Sequence, residues 1–591
     1  MSIYACYFIH LLAIVEISCI GNITDRVIDD SGHIQADMAY LYTICFKVLF
    51  YHDLALMNTQ AKIAAINTPA QATAIQKNVT IAACFGTFLE WYDFLTFASL
   101  AIYFSVLFFP SDNPTTALLS SLATFGVGMV VRPLGSALFG TLADKYGRRP
   151  IFIATIVLMG GSTFAVGLLP TYAQVGMWAP ILLLLLRLLQ GFSVGGEIGG
   201  ASVYLAEHAP ANKRGAYTSI LQLMGPLGIL VSTLQVVLLQ AWLTADDFNS
   251  WGWRVPFLLS LLLLLVSLKS RMSLVESPVF QRLREKNALS KSPLREAFKD
   301  KRTLGRMALL FICISAGGAL LFFTSQVYTG VYLKSVVRLE SQLASTLVMI
   351  STLALFPLTI LFGWLSDHIG RRPVILAGML LGCVALMPVY KGLLHYGNPA
   401  MQRFISNVPV VLYGDSCSYS PFSKPRNDCE LNQELLTKLG VTHTLQAARA
   451  VGLTEVSIAG TNVVSGFNSS AVSATLKAQG WSAQANPQHI NRLMLVLLLI
   501  IPVVALALVT GPQTAVLAEL FTARTRYTAV ALPHNLSAGW IGGLSPFMVT
   551  LLNVKAGDAI SGLWYPIGLL LVGLIAGLLF LPETNKVSLD D

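Results

Sequence analysis

Charge is scarce in this chain. Lys, Arg, Asp and Glu make up 12% of its 591 residues, against about 25% in a soluble domain. So few charges cannot cover the several soluble domains that this length suggests at first. Metal-ligand spacing is lacking too. Of eight cysteines, Cys84, Cys313 and Cys383 lie in apolar segments and read as small core residues. Cys6, Cys19 and Cys45 lie near the N-terminus, and Cys417 and Cys429 share a long polar segment. No cluster among them suits a metal, so neither a metal nor a cofactor is expected. A phosphate loop is missing, because Gly195-Gly196 follows no strand and precedes no Lys. With no nucleophile pattern either, an enzyme is the least expected class. The alternating pattern of a membrane barrel is also absent.

Apolar residues are abundant instead. They make up 54% of the chain, and the mean hydropathy is +0.65. Apolar runs of helix length recur, such as Leu258 to Leu268. About 20 apolar residues span the hydrocarbon core as a helix, and a helix satisfies its own backbone polar groups there. Twelve such segments are predicted, at roughly 80–108, 118–141, 151–170, 178–206, 215–242, 253–271, 304–333, 342–365, 373–395, 490–520, 525–552 and 559–581.

The net charge of +9 is a topology signal rather than a nucleic-acid one. Lys145, Arg148 and Arg149 follow the second segment, Lys213 and Arg214 the fourth, and a run from Arg271 to Arg306 the sixth. Arg371 and Arg372 follow the eighth, and Arg524 and Arg526 the tenth. Basic loops face the cytoplasm, so both termini are expected there, in a bacterial inner membrane.

Residues 1–56 fit this plan poorly. They mix short apolar runs with Asp25, Arg26, Asp29 and Asp30. They read as an overextended reading frame ahead of Met57, with a real extra helix as the competing reading. The expected organisation is an extension (1–77), a first six-helix half (78–271), a central loop (272–303), helices seven to nine (304–395), an extracytoplasmic insert (396–489), helices ten to twelve (490–581) and a tail (582–591). The bundle is expected to be all-α and monomeric, with the bilayer as its solvent.

An internal repeat divides the chain in two. Gly140-Thr-Leu-Ala-Asp144-Lys-Tyr-Gly147-Arg148-Arg149-Pro150 closes the second segment. Gly363-Trp-Leu-Ser-Asp367-His-Ile-Gly370-Arg371-Arg372-Pro373 closes the eighth. Parallel six-helix halves are a transporter plan with the substrate between them near mid-membrane.

This doubled loop resembles the signature of the major facilitator superfamily. Gly86-Thr-Phe-Leu-Glu90-Trp-Tyr-Asp93-Phe and Arg187-Leu-Leu-Gln190-Gly191-Phe-Ser-Val-Gly-Gly-Glu197 resemble its metabolite:proton symporter family. Glu276-Ser-Pro-Val-Phe and Pro582-Glu-Thr are shared with sugar porters and discriminate less. The resemblance covers about 78–395 and 490–587. It implies a twelve-helix importer of small organic acids or zwitterions, driven by the proton gradient. The insert and the N-terminal extension depart from the pattern. Osmosensing members carry a long coiled-coil tail that this sequence does not show, which turns the expectation toward an organic acid.

Charges inside a bilayer are functional candidates. Glu90 and Asp93 share a helix face and are expected to couple protons or touch substrate; the alternative is bracing of the first helix. Arg187, Gln190 and Glu197 share a face of the fourth, and the planar fork of Arg187 suits a carboxylate. The resemblance implies a coupling role for Arg187; its alternative is a packing pair with Glu90 or Glu197. Arg132 is expected to snorkel or to pair near Asp144, with a substrate role as the lesser alternative. Gln326, Tyr328, Gln513, His534 and Asn535 are candidate polar contacts, or interhelical glue. By resemblance Gly140, Asp144, Arg148, Gly363, Asp367 and Arg371 form a latch between the halves, each Asp accepting from an opposing helix N-terminus; the alternative is topology alone. Cys417 and Cys429 are expected to form a disulfide in the oxidising compartment, within an insert that carries short helices at Gln433–Leu439 and Val472–Ala478; the alternative is two free thiols, with Pro421 and Pro425 holding the ends apart. The expected function is proton symport of a small organic acid by alternating access. The alternatives are a zwitterionic osmolyte or sugar-like solute, or a transporter-like nutrient sensor.

Overall fold

The computed structural model describes residues 69–109, 114–272, 276–415, 417, 425–450, 452–460 and 462–589. The chain divides into two compact units, Met1–Ile75 and Gln76–Asp591, and every contact described below lies within the second. The expectation for residues 1–56 falls outside the described residues.

The bundle is built from α1 (Pro69–Phe108), α2 (Pro114–Tyr146), α3 (Arg148–Leu168), α4 (Trp178–His208), α5 (Ala211–Trp242) and α6 (Val255–Met272). Next come α7 (Lys301–Ser335), α8 (Ser341–Ile369), α9 (Arg371–Gly397), α10 (Arg492–Glu519), α11 (526–556) and α12 (Ser561–Phe580). Among the described residues ten helices are long and apolar enough to cross a membrane. α1 and α11 lie outside that ten, and a turn at 543–544 breaks α11.

Burial is inverted relative to a soluble protein. Leu134 is 65% exposed, Val384 65% and Phe580 71%, while Glu90, Asp93, Arg187, Glu197 and Arg271 are all at most 3% exposed. An apolar exterior around buried charges is what a hydrocarbon solvent selects.

Glycine permits the tightest crossing, between α2 and α4. A Cβ at Gly195 would lie 2.1 Å from the carbonyl oxygen of Arg132, and one at Gly191 2.0 Å from that of Gly128. The Ser136 hydroxyl donates to Gly195 O at 2.8 Å across the same contact. α7 contains two π-helical turns, Leu310–Ser315 and Phe323–Tyr328, and α11 contains one, Ser537–Gly542. Each inserts a residue into the helical repeat and rotates the remainder of its helix.

The segment between α9 and α10 corrects the all-α expectation. It holds helices Pro399–Asn407, Asp428–Lys438 and Ser469–Ala478 and a four-stranded sheet: β1 (Val410–Tyr413), β2 (Thr444–Gln446), β3 (Glu455–Ile458) and β4 (Asn462–Ser465). The order is β2-β1-β3-β4, with β1 parallel to β2 and antiparallel to β3. Strands this short show too little alternation to be read from sequence. Met401, Phe404, Leu412, Leu436, Val456, Val472 and Leu476 form their own core. Cys417 and Cys429 are joined as a disulfide, with Cα atoms 5.4 Å apart. Asn398 Nδ2 donates to Val337 O at 3.0 Å, and His443 N to Gly557 O at 2.8 Å. The insert therefore grips the ends of α7 and α11.

Candidate functional site

Two ion pairs sit inside the first half. An Arg132 guanidinium nitrogen lies 3.5 Å from Glu90 Oε1, and Arg187 Nη1 lies 3.5 Å from Asp93 Oδ2. Gln190 Nε2 donates to Asp93 Oδ1 and to Thr163 Oγ1, both at 3.1 Å. Arg187 lies over the Phe97 ring at 3.7 Å, and Arg132 over Phe94 at 5.4 Å. Among the described residues, neither Glu90 oxygen accepts a hydrogen bond, and Arg187 Nε and Nη2 donate none. The pairs are electrically balanced yet keep unused hydrogen-bonding capacity.

These partners correct the sequence reading. Arg132 neither snorkels nor approaches Asp144 as its partner; α2 crosses α1 closely enough for it to meet Glu90. Arg187 pairs with Asp93 rather than with Glu90 or Glu197. Glu197 pairs instead with Arg271 of α6 and accepts from Thr155 Oγ1 at 3.1 Å. Arg271 also lies over Phe152 at 3.6 Å. This cluster braces α3, α4 and α6. Arg271 was read from sequence only as a topology charge, because it ends an apolar run.

A cavity of 90 Å³ lies between the halves. Thr87, Trp91, Met129 and Arg132 line it from the first half, and Ser315, Phe322, Phe323, Gln513 and His534 from the second. Trp91 and Phe322 meet across it with ring centroids 5.0 Å apart. His534 Nδ1 is 2.9 Å from Ser315 Oγ. Gln513 and His534 therefore reach the cavity, while Gln326, Tyr328 and Asn535 do not line it. Thr352 Oγ1 donates to Gln326 Oε1 at 2.6 Å, and Asn553 Nδ2 donates to the Tyr328 hydroxyl at 2.8 Å, in a second cavity beside the insert. The π turn over Phe323–Tyr328 changes the helical register that the sequence reading assumed for them. Asn535 ties α11 to α4 by donating to Gly195 O at 3.0 Å. Trp91, Phe322, Thr163 and Ser315 were missed, since an aromatic or hydroxyl in an apolar helix carries no signal of its own.

The repeated loops close one side of the bundle. Asp144 accepts from Tyr527 N at 3.3 Å and from Thr528 N at 2.9 Å, at the start of α11. Asp367 accepts from Gly215 N at 2.8 Å and Ala216 N at 2.9 Å, in α5. A Cβ at Gly363 would lie 2.8 Å from Gly215 O, and one at Gly140 3.1 Å from Thr528 Cα. Arg148 and Arg526 share Glu207, and Arg371 and Arg214 share Glu519. Those four partners belong to a second repeat, Leu205-Ala206-Glu207…Arg214 and Leu517-Ala518-Glu519…Arg526, at equal spacing. Comparing the halves a second time would have found it.

The comparisons with known proteins agree with this architecture. The family model described as "Sugar (and other) transporter" matches residues 79–305. The inner membrane metabolite transport protein YhjE of Escherichia coli K12 is 36% identical over 331 residues, 55% of this chain and 74% of that protein. The proline/betaine transporter of Salmonella typhimurium LT2 is 36% identical over 324 residues, 54% of this chain. A putative proline/betaine transporter of Staphylococcus aureus MSSA476 is 36% identical over 309 residues, 51% of this chain. The chain spans 64% and 65% of the lengths of those two relatives. Among solved structures, the proton:xylose symporter XylE bound to 6-bromo-6-deoxy-D-glucose superposes with a TM-score of 0.60 at 16% identity, over 88% of this chain and 98% of that one. That likeness shows the fold. The chain is a multi-pass membrane protein and belongs to the major facilitator superfamily, among its sugar and metabolite transporters.

Proposed function

We propose that the chain imports a small zwitterionic solute by proton symport, through alternating access across an inner membrane. The carrying observation is the charge balance beside the cavity, whose wall only Arg132 of the four paired residues reaches. Arg132 faces it already matched by Glu90, and Asp93 is matched by Arg187. A zwitterion adds no net charge to such a site. Its carboxylate suits the Arg132 guanidinium, and its ammonium suits the Trp91 and Phe322 faces. An organic dianion would bring uncompensated negative charge to a site whose charges are already paired, so the organic-acid expectation gives way. Two curated relatives named for proline and betaine support the same choice. Glu90, with neither oxygen hydrogen-bonded, is the proton carrier in this reading.

The same reading makes α1 and α11 the two further spans of a twelve-helix plan. It places the insert outside and both termini in the cytoplasm, where the Asp144 and Asp367 contacts hold the cytoplasmic side shut.

The test is uptake into proteoliposomes of labelled betaine and proline beside 2-oxoglutarate and xylose, with and without an inward proton gradient. Betaine or proline uptake is expected to rise with the gradient and collapse with an uncoupler. Preference for 2-oxoglutarate or xylose overturns the zwitterion assignment. Indifference to the uncoupler overturns coupling.

A further inference from the structure

The chain does the same thing twice at the closed side and then breaks the symmetry. Glu276 accepts from Arg148 N and Arg149 N at the start of α3, both at 3.2 Å. Glu583 accepts from Arg371 N at 2.8 Å and Arg372 N at 3.1 Å at the start of α9. After Glu276 the chain forms the helix Pro278–Glu285. Among the described residues no helix follows Glu583, and the chain runs along the seam between the halves. Arg214 Nη1 donates to Val587 O at 3.3 Å, and Arg526 Nη2 donates to Leu589 O at 3.0 Å. These two arginines are the equivalent members of the second repeat, one from each half. The Leu589 side chain is 5% exposed and packs with Ala206 and Ala518, again one from each half at equivalent positions. Thr584 Oγ1 adds a donation to Glu519 Oε2 at 2.7 Å.

We infer that residues 587–589 are a lock on the closed seam: one short strip of tail fastened to both halves, which must leave each time this side opens. The geometry requires it. Ala206 with Arg214, and Ala518 with Arg526, belong to bodies that separate when access alternates, and a single leucine cannot stay packed on both. The tail then favours the state closed on this side, and whatever displaces it favours opening.

The lock rests on the proposed alternating access, and on the proposed orientation only for the name of the side; the test separates lock from orientation. In the full-length protein with serine at every cysteine but Cys417 and Cys429, Ser202→Cys places one thiol on the central cavity. A membrane-impermeant maleimide is applied to inside-out and right-side-out vesicles. Leu589→Asp puts a charge into the apolar seat, and a stop after Lys586 removes the strip. Both are expected to label several-fold faster in inside-out vesicles, while Leu589→Met labels at the parent rate. Faster labelling confined to right-side-out vesicles keeps the lock and overturns the orientation. Unchanged rates overturn the lock. So does equal acceleration from both faces, which marks a loosened bundle rather than an opened gate.

Discussion

Glu90 is the residue on which energy coupling is expected to turn. Glu90→Gln keeps size and burial but cannot release a proton. Gradient-driven accumulation of substrate is expected to vanish while exchange of internal for external substrate persists; accumulation at the parental level would return Glu90 to bracing. Arg187 offers a fork of which one nitrogen meets Asp93 and two donate to nothing. Arg187→Lys retains the charge and loses the fork. A hydrogen bond to a charged group contributes about 1.5–3 kcal/mol, so kcat/KM for uptake is expected to fall roughly tenfold or more. Near-parental uptake at equal expression would show that the fork is not used. The spacing of Glu90 and Asp93 on one face was legible from the sequence. Their partners were not, because Arg132 and Arg187 stand on other helices, and helix rotation decides which carboxylate each one meets.

At the scale of elements, the α2–α4 crossing depends on the absence of side chains. Gly195→Leu would drive a Cβ to 2.1 Å from a backbone oxygen, and no rotamer relieves a backbone clash. The expected outcome is loss of folded protein from the membrane, read by size-exclusion profile in detergent; a parental profile would mean that the helices part without cost. The insert has its own control at His443. Burial holds this imidazole below its ordinary value of 6.5, against a weaker upward pull from Val441 O. A depressed histidine binds its proton more readily unfolded than folded. Its contribution is therefore intact above pH 6.5 and is lost as pH falls below that toward the folded value. Protease sensitivity of the insert is expected to rise from pH 7.5 to pH 5, and the rise to flatten in His443→Gln. An identical pH profile in that variant would assign the effect elsewhere. Helix existence was legible at this scale from run length alone. The sheet was not: strands of three or four residues become strands only by pairing with distant partners.

For the whole molecule, the proposed alternating access exchanges two states, and the latch is expected to set their balance. Asp144→Asn removes the charge facing the N-terminus of α11. Such a contact contributes about 0.3–1 kcal/mol, and up to about 2 when partly buried. The population open on the latch side is expected to grow, read as longer distances between spin labels on the two halves across the Asp144 loop. An unchanged distance distribution would reduce the loop to a topology signal.

The sequence by itself determined that the chain lives in a membrane, that one loop motif recurs at two places along it, and which loops gather positive charge. Those properties are one-dimensional: composition, run length and repetition. Which charges pair, whether Tyr328 faces the central cavity or the insert, and where the tail lies were decided only by the tertiary structure. π turns reset the register of α7, glycines set how closely α2 and α4 approach, and the seat of Leu589 exists only where two halves, distant in sequence, meet.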